Sequence, residues 1–139
     1  MRIIYDYKIF WLQKYGGISR YFVNIIKNFQ KNNNIDFKIV APFYQNSYLN
    51  REIEEKKIFG FYMKIKIPKT LFLFKQFNKF FFKYLVHNFK PNLIHSTYYN
   101  ENINKKNIPL IITVYDLIHE KLAKEKGYEI FPKYNSLMM

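Results

Sequence analysis

Arg2-Ile3-Ile4-Tyr5-Asp6, then Tyr15-Gly16-Gly17-Ile18-Ser19-Arg20-Tyr21-Phe22, then Asp36-Phe37-Lys38-Ile39-Val40-Ala41 are the stretches whose reading decides the fold. The first is a short apolar run with β-branched residues, which predicts a buried strand over 2–5. In the second, a glycine pair precedes a change of period. Ile18, Phe22, Ile25, Ile26 and Phe29 fall on one helical face, with Arg20, Asn24, Lys27 and Asn28 largely elsewhere. Asn32-Asn33-Asn34 ends that helix, and the third stretch reads as a second strand halted by Pro42. A strand, a glycine turn, a helix and a strand make a βαβ unit, which implies a parallel sheet with a right-handed crossover.

Outward from that unit the alternation continues. Asn50 to Lys57 is charged and suits a helix, and Phe61 to Ile67 alternates apolar residues with Lys64 and Lys66, as an edge strand or extended loop does, up to Pro68. Residues 71–89 predict an aromatic helix with Phe74, Phe77, Phe81 and Leu85 down one side and Lys75, Lys79 and Lys83 as a second row. Those lysines argue against a transmembrane span. They leave two readings, a core helix with a solvated lysine face or a helix that docks on an anionic membrane. After Lys90-Pro91, strands are expected over 92–96 and 109–115, the latter nearly all apolar, as strands buried on both faces of a doubly wound sheet are. The expected class is therefore α/β, a Rossmann-like parallel sheet with flanking helices forming a single domain over residues 1–139. Such sheets are usually wider than four strands, and no strand pattern follows Tyr115, so the chain is expected to be truncated.

Composition agrees with one packed domain. The 139 residues are 49% hydrophobic and 21% aromatic, which suits a single core and argues against disorder. With no cysteine, disulfide frameworks and thiolate chemistry are excluded. Asp6 interrupts the place where a signal peptide needs its apolar run, so a cytoplasmic location is expected. The net charge of +13 has two readings. One is anion binding. The other is base composition, because Lys, Asn, Ile, Phe and Tyr share A/T-rich codons and Ala occurs only at 41 and 123. Nucleic acid is disfavoured as a partner, since no binding motif is present and arginine occurs only at 2, 20 and 51.

In open α/β sheets the ligand sits outside the carboxyl ends of the strands. Three segments converge there: Gln13 to Arg20, His95 to Asn100, and Tyr115 to Glu120. Gly16-Gly17 lies just before a helix, where it either lets an anion approach the free N–H groups or makes a tight turn needing positive φ. His95 and His119 at strand ends are open to functional and structural roles alike. Asp116-x-x-His119-Glu120 supplies acid–base groups or helix-capping chemistry. The three histidines fit no metal-binding spacing, so no metal is expected.

Three blocks together resemble the N-terminal domain of retaining glycosyltransferases of family 4, which have the GT-B fold. They are Tyr5-Asp6-Tyr7-Lys8-Ile9-Phe10 with Gln13 to Phe22, Lys90-Pro91-Asn92-Leu93-Ile94-His95-Ser96-Thr97-Tyr98-Tyr99, and Pro109 to Glu120. The resemblance implies the first half of a two-domain enzyme that moves a sugar from a nucleotide-sugar donor to a glycan or lipid-linked acceptor with retained configuration. It implies no cofactor beyond that co-substrate, and a cytoplasmic place that extends to the inner membrane face. Carried over, Gly16 and Gly17 face the donor phosphates, Tyr98, Tyr115 and Asp116 line the acceptor side, and Arg20, His95 and His119 fall among the binding residues. Tyr115-Asp116 stands where the family commonly has His-Asp, and is the expected catalytic pair. The nucleotide-sugar domain is absent from these residues, so the chain alone is expected to be inactive, its partner domain being a separate chain or a lost segment. The alternative is a non-enzymatic domain of the same fold that binds a glycan or a membrane surface.

Overall fold

The computed structural model describes residues 1–32, 34–64, 71–98 and 108–115, with backbone alone at 71 and 72. Strand β1 (Arg2–Tyr5) is followed by helices α1 (Lys8–Leu12) and α2 (Gly17–Gln30), then strand β2 (Asp36–Tyr44). Helix α3 (Ser47–Glu52) and a 3-10 turn (Glu55–Lys57) lead into strand β3 (Ile58–Tyr62). Helix α4 (Leu71–Phe89), strand β4 (Leu93–Ser96) and strand β5 (Leu110–Ile112) complete the described chain.

The five strands form one sheet in the order β3-β2-β1-β4-β5, and every neighbouring pair is parallel. This is the strand order of a doubly wound α/β sheet, with the order reversing between β1 and β4. The fold is therefore the expected Rossmann-like one. Its core is the run Ile3, Ile4, Tyr5 on β1, with Phe37, Ile39 and Val40 beside it on β2 and Ile94 on β4, all buried.

Successive side chains of β1 take opposite faces. Tyr5 meets Phe22 of α2 edge-on, with ring centroids 6.4 Å apart, so α2 covers that face. Arg2 and Lys38 of the other face lie over the ring of Phe89, so α4 covers it. Helix α2 buries Ser19, Phe22, Val23 and Ile26, close to the face read from its period.

Five features depart from expectation, the first being that the helix expected from Asn50 to Lys57 is α3 over Ser47–Glu52 followed by a 3-10 turn over Glu55–Lys57. Strand β2 does not stop at Pro42 but runs through it to Tyr44. It does so at a register shift between Val40 and Phe43, where Gly60 of β3 faces Ala41. Gly60 has φ +154°, and a Cβ there would lie 1.7 Å from the Ala41 carbonyl oxygen, so this position demands glycine. The edge strand lies at 58–62, earlier than the alternation over 61–67 placed it, because Ile58 and Phe59 pair with Ile39 and Val40. On α4, Asn78 and Phe82 are buried while Phe77 is exposed, so the inward side is rotated from the one predicted. Asn78 fixes that rotation: its Oδ1 accepts from the Phe43 N–H at 2.9 Å and its Nδ2 donates to the Phe43 carbonyl at 3.3 Å. Lastly, β5 is not covered on both faces by described residues, since Ile111 and Ile112 are exposed.

Candidate functional site

The carboxyl ends of β1 and β4 meet at the point where strand order reverses. Asp6, which follows β1, is fully buried there. Its Oδ1 accepts from the Thr97 N–H at 3.0 Å, from the Lys8 N–H at 3.2 Å and from the Thr97 hydroxyl. Its Oδ2 accepts from the Ser96 hydroxyl at 3.0 Å. Thr97 Oγ1 in turn accepts from the Ile9 N–H at 3.1 Å. The burial raises the Asp6 carboxyl above its usual range, and the hydrogen bonds only partly offset that. Burial likewise lowers the Lys8 ammonium, opposed by the charge of Asp6 and reinforced by that of Lys75. Tyr7 beside them is pushed up to about 12, by burial first and the Asp6 charge second. Asp6 is thus a floor that ties β1 to β4, with its acceptor capacity committed inward. Any ligand at the switch point sits above this floor.

The glycine loop follows α1, the helix that begins two residues after Asp6. Gln13 Oε1 accepts from the Ser19 N–H at 3.2 Å, and the Ser19 hydroxyl donates to the Gly16 carbonyl at 3.0 Å. The Arg20 N–H closes on the Gly16 carbonyl at 3.0 Å, which leaves the N–H groups of Gly17 and Ile18 with no acceptor among the described residues. Gly16 has φ 171°, ordinary extended backbone, and Gly17 is helical, so neither needs positive φ and that explanation of the pair is removed. A Cβ on Gly16 would meet Gln13 Oε1 at 2.2 Å, whereas one on Gly17 would meet nothing within 4 Å. Gly16 is small to admit the Gln13 cap. Gly17 faces open space.

What holds this loop is a part of the chain that sequence reasoning passed over. Buried Gln45 donates through Nε2 to the carbonyls of Trp11 at 2.7 Å and Leu12 at 3.1 Å. Buried Asn46 donates to the Gln13 carbonyl at 2.8 Å and caps α3 by accepting from the Leu49 N–H at 2.9 Å. The carbonyls left over at the end of α1 are thereby satisfied by the end of β2. The one signal in the sequence was Gln45-Asn46-Ser47, three polar residues directly after an apolar strand.

The other expected residues lie around this frame. His95 of β4 packs against Tyr5 and Phe22 with ring centroids at 5.3 and 5.1 Å, and its Nε2 lies 3.1 Å from the Thr113 hydroxyl. Burial lowers its pKa, so the imidazole is neutral near pH 7. Tyr115 reaches the same layer, its ring 5.9 Å from Tyr21 and 6.0 Å from Phe22. Tyr5 belongs to it too, with a buried hydroxyl that has no hydrogen-bond partner among the described residues and a pKa that burial pushes upward. The fold therefore gathers His95 and Tyr115 around Phe22. Tyr98 follows the Asp6 floor, its carbonyl accepting from the Ser96 hydroxyl at 2.6 Å. Arg20 points elsewhere, its guanidinium 5.8 Å from the Tyr48 ring centroid on the α3 side. Asp116 and His119 lie outside the described residues. Among the described residues no three His, Asp or Glu side chains gather as a metal site would require. Comparisons with protein-family models, with curated proteins and with solved structures found no match.

Proposed function

We propose that this domain is the acceptor-side half of a glycosyltransferase, working with a second domain that binds a nucleotide sugar. The observation that carries the reading is the open start of α2: a helix of 14 residues whose first N–H groups, at Gly17 and Ile18, are free of described acceptors, with no side chain standing over Gly17. Such a terminus favours an anion by its unpaired donors and its dipole. A donor diphosphate held by the second domain would meet it there, and the same donors would stabilise the charge that grows on the diphosphate as the glycosidic bond breaks. Across the switch point, Tyr98, Tyr115 and Asp116 would line the acceptor. Tyrosines suit that task because they pack against a sugar ring while offering a hydroxyl. His95, neutral and facing Thr113, would position that layer.

The test is a titration of the isotope-labelled chain with UDP- and GDP-sugars, followed by amide shifts. For this domain by itself, affinity should be weaker than about 1 mM, on the order of 4 kcal/mol. The shifts should centre on Gly17 and Ile18. Gly17→Ala should leave the melting temperature unchanged and reduce those shifts. Micromolar affinity, or shifts elsewhere on the domain, would refute this assignment.

A further inference from the structure

Helix α4 carries its most apolar stripe outward. Leu73, Phe77, Phe80 and Tyr84 recur at spacings of four, three and four, which puts them on one side of the helix. They are 56%, 50%, 65% and 55% exposed. Beside them on the sheet edge stand Phe59 and Phe61 of β3, the latter 76% exposed, with Phe59 packed on Phe81 of α4 at 5.6 Å. Scattered apolar side chains on a surface need no explanation, but a contiguous field of six large ones does.

The charges that α4 itself carries are all positive, and the nearby carboxylate of Glu55 lies at the other edge of the field, in the cavity beside Phe61. Lys79 and Lys83 are exposed along one flank of the stripe, and Lys64 is exposed just beyond β3. Neither α4 nor β3 contains an aspartate or glutamate. A second copy packed helix to helix would bring the lysines of α4 against lysines, with no carboxylate on α4 or β3 to pair them, on a molecule of net charge +13. An anionic surface has no such conflict. The residue types also match, since a helix lying in a lipid interface presents aromatic residues to the acyl boundary and lysines to the phosphates. Among the described residues no helix is long and apolar enough to cross a membrane, so the helix would lie on the surface.

We propose that the outer face of α4, with Phe59 and Phe61 of β3 beside it, docks on an anionic lipid bilayer. Leu73, Phe77, Phe80 and Tyr84 enter the headgroup region, and Lys79 and Lys83 pair with lipid phosphates. The inference is independent of the glycosyltransferase reading, because it uses none of the residues at the strand ends.

Co-sedimentation with vesicles tests it, comparing phosphatidylcholine alone with the same lipid containing one-third phosphatidylglycerol. The chain should sediment with the anionic vesicles and be released by salt. A double variant, Lys79→Gln with Lys83→Gln, should weaken binding about thirtyfold, at about fivefold per lysine near such a surface. A second, Phe77→Ser with Phe80→Ser, should weaken it at least about tenfold through the loss of buried apolar area. Both pairs are exposed, so the melting temperature should hold. If a double variant does not fold, Phe80→Ser and Lys83→Gln separately give the same comparison at smaller amplitude. No sedimentation with anionic vesicles overturns the proposal, as does sedimentation that neither variant alters. So does a dimer in analytical ultracentrifugation that the Phe77/Phe80 variant dissolves, which would assign the face to a second copy.

Discussion

Helix α2 and helix α4 lie on opposite faces of the same sheet, and they divide their residues in contrasting ways. Helix α2 sends Phe22, Val23 and Ile26 inward and Arg20, Asn24, Lys27 and Asn28 outward. Helix α4 buries a fully enclosed asparagine among its inward residues and leaves two phenylalanines, a leucine and a tyrosine exposed. For α2, hydrophobicity alone orients the helix. For α4 it cannot, because aromatic residues occur all round, and the orientation rests on the hydrogen bonds that Asn78 makes to Phe43. Apolar content says how strongly a helix packs; it says which way round only when the content is uneven.

The sharpest way to break this contrast is to truncate two phenylalanines of α4 that are two positions apart. Phe82→Ala removes a buried ring and should cost about 3–5 kcal/mol, as should Phe22→Ala on α2. Phe80→Ala should stay within about 0.5 kcal/mol of the parent. Urea unfolding measures all three, and equal losses at 80 and 82 would mean that the inward side of α4 has been misplaced.

Next in size is Asn78→Leu. It leaves the part-buried Phe43 N–H and carbonyl without their partner, at about 2 kcal/mol, even though the new side chain is more apolar. Asn24→Leu, on the exposed side of α2, should lie within about 0.5 kcal/mol. A stabilised Asn78→Leu protein would show that packing alone orients α4 after all.

The smallest expected effect is a pH dependence that belongs to the α2 face. His95 has its pKa lowered by burial against Phe22 and Tyr5, so the unfolded chain takes up the proton first. Its contribution is fully present above the ordinary value of 6.5 and is lost as pH falls from there to the lowered one. Asp6 works in the opposite sense, its raised pKa removing stability as pH climbs from 3.8 to the raised value. Subtracting the stability profile of His95→Gln from that of the parent isolates the histidine. A difference that does not change between pH 7 and pH 5 would mean that the imidazole is not buried.

The parallel sheet was readable because β1, α2 and β2 each show one uncontested pattern, and because β4 and β5 are short apolar runs after Pro91 and before Tyr115. Pro42 makes β2 look shorter in sequence than it is, since proline ends a strand only where its missing N–H is needed. Here the register shift and Asn78 reroute the pairing around Pro42. The site was half legible. His95 lies on β4, Tyr98 just after it and Tyr115 just after β5, while Gly16-Gly17 opens α2. The sequence marked Asp6 only as a charge in an apolar run, because its partners Ser96 and Thr97 lie some ninety positions away. Gln45 and Asn46 were missed for the same reason: hydrogen bonds between distant loops leave no period behind.

Asn78 has one more effect, on sliding rather than on stability. Phenylalanine recurs at 72, 74, 77, 80, 81 and 82, so moving α4 along the sheet by a turn would exchange one aromatic contact for another at little loss. An amide that must face both the N–H and the carbonyl of a single residue allows no such exchange. Asn78 therefore works as a peg in one hole, fixing where along β2 an otherwise self-similar helix comes to rest, and with it the position of every lysine and phenylalanine on the outer face.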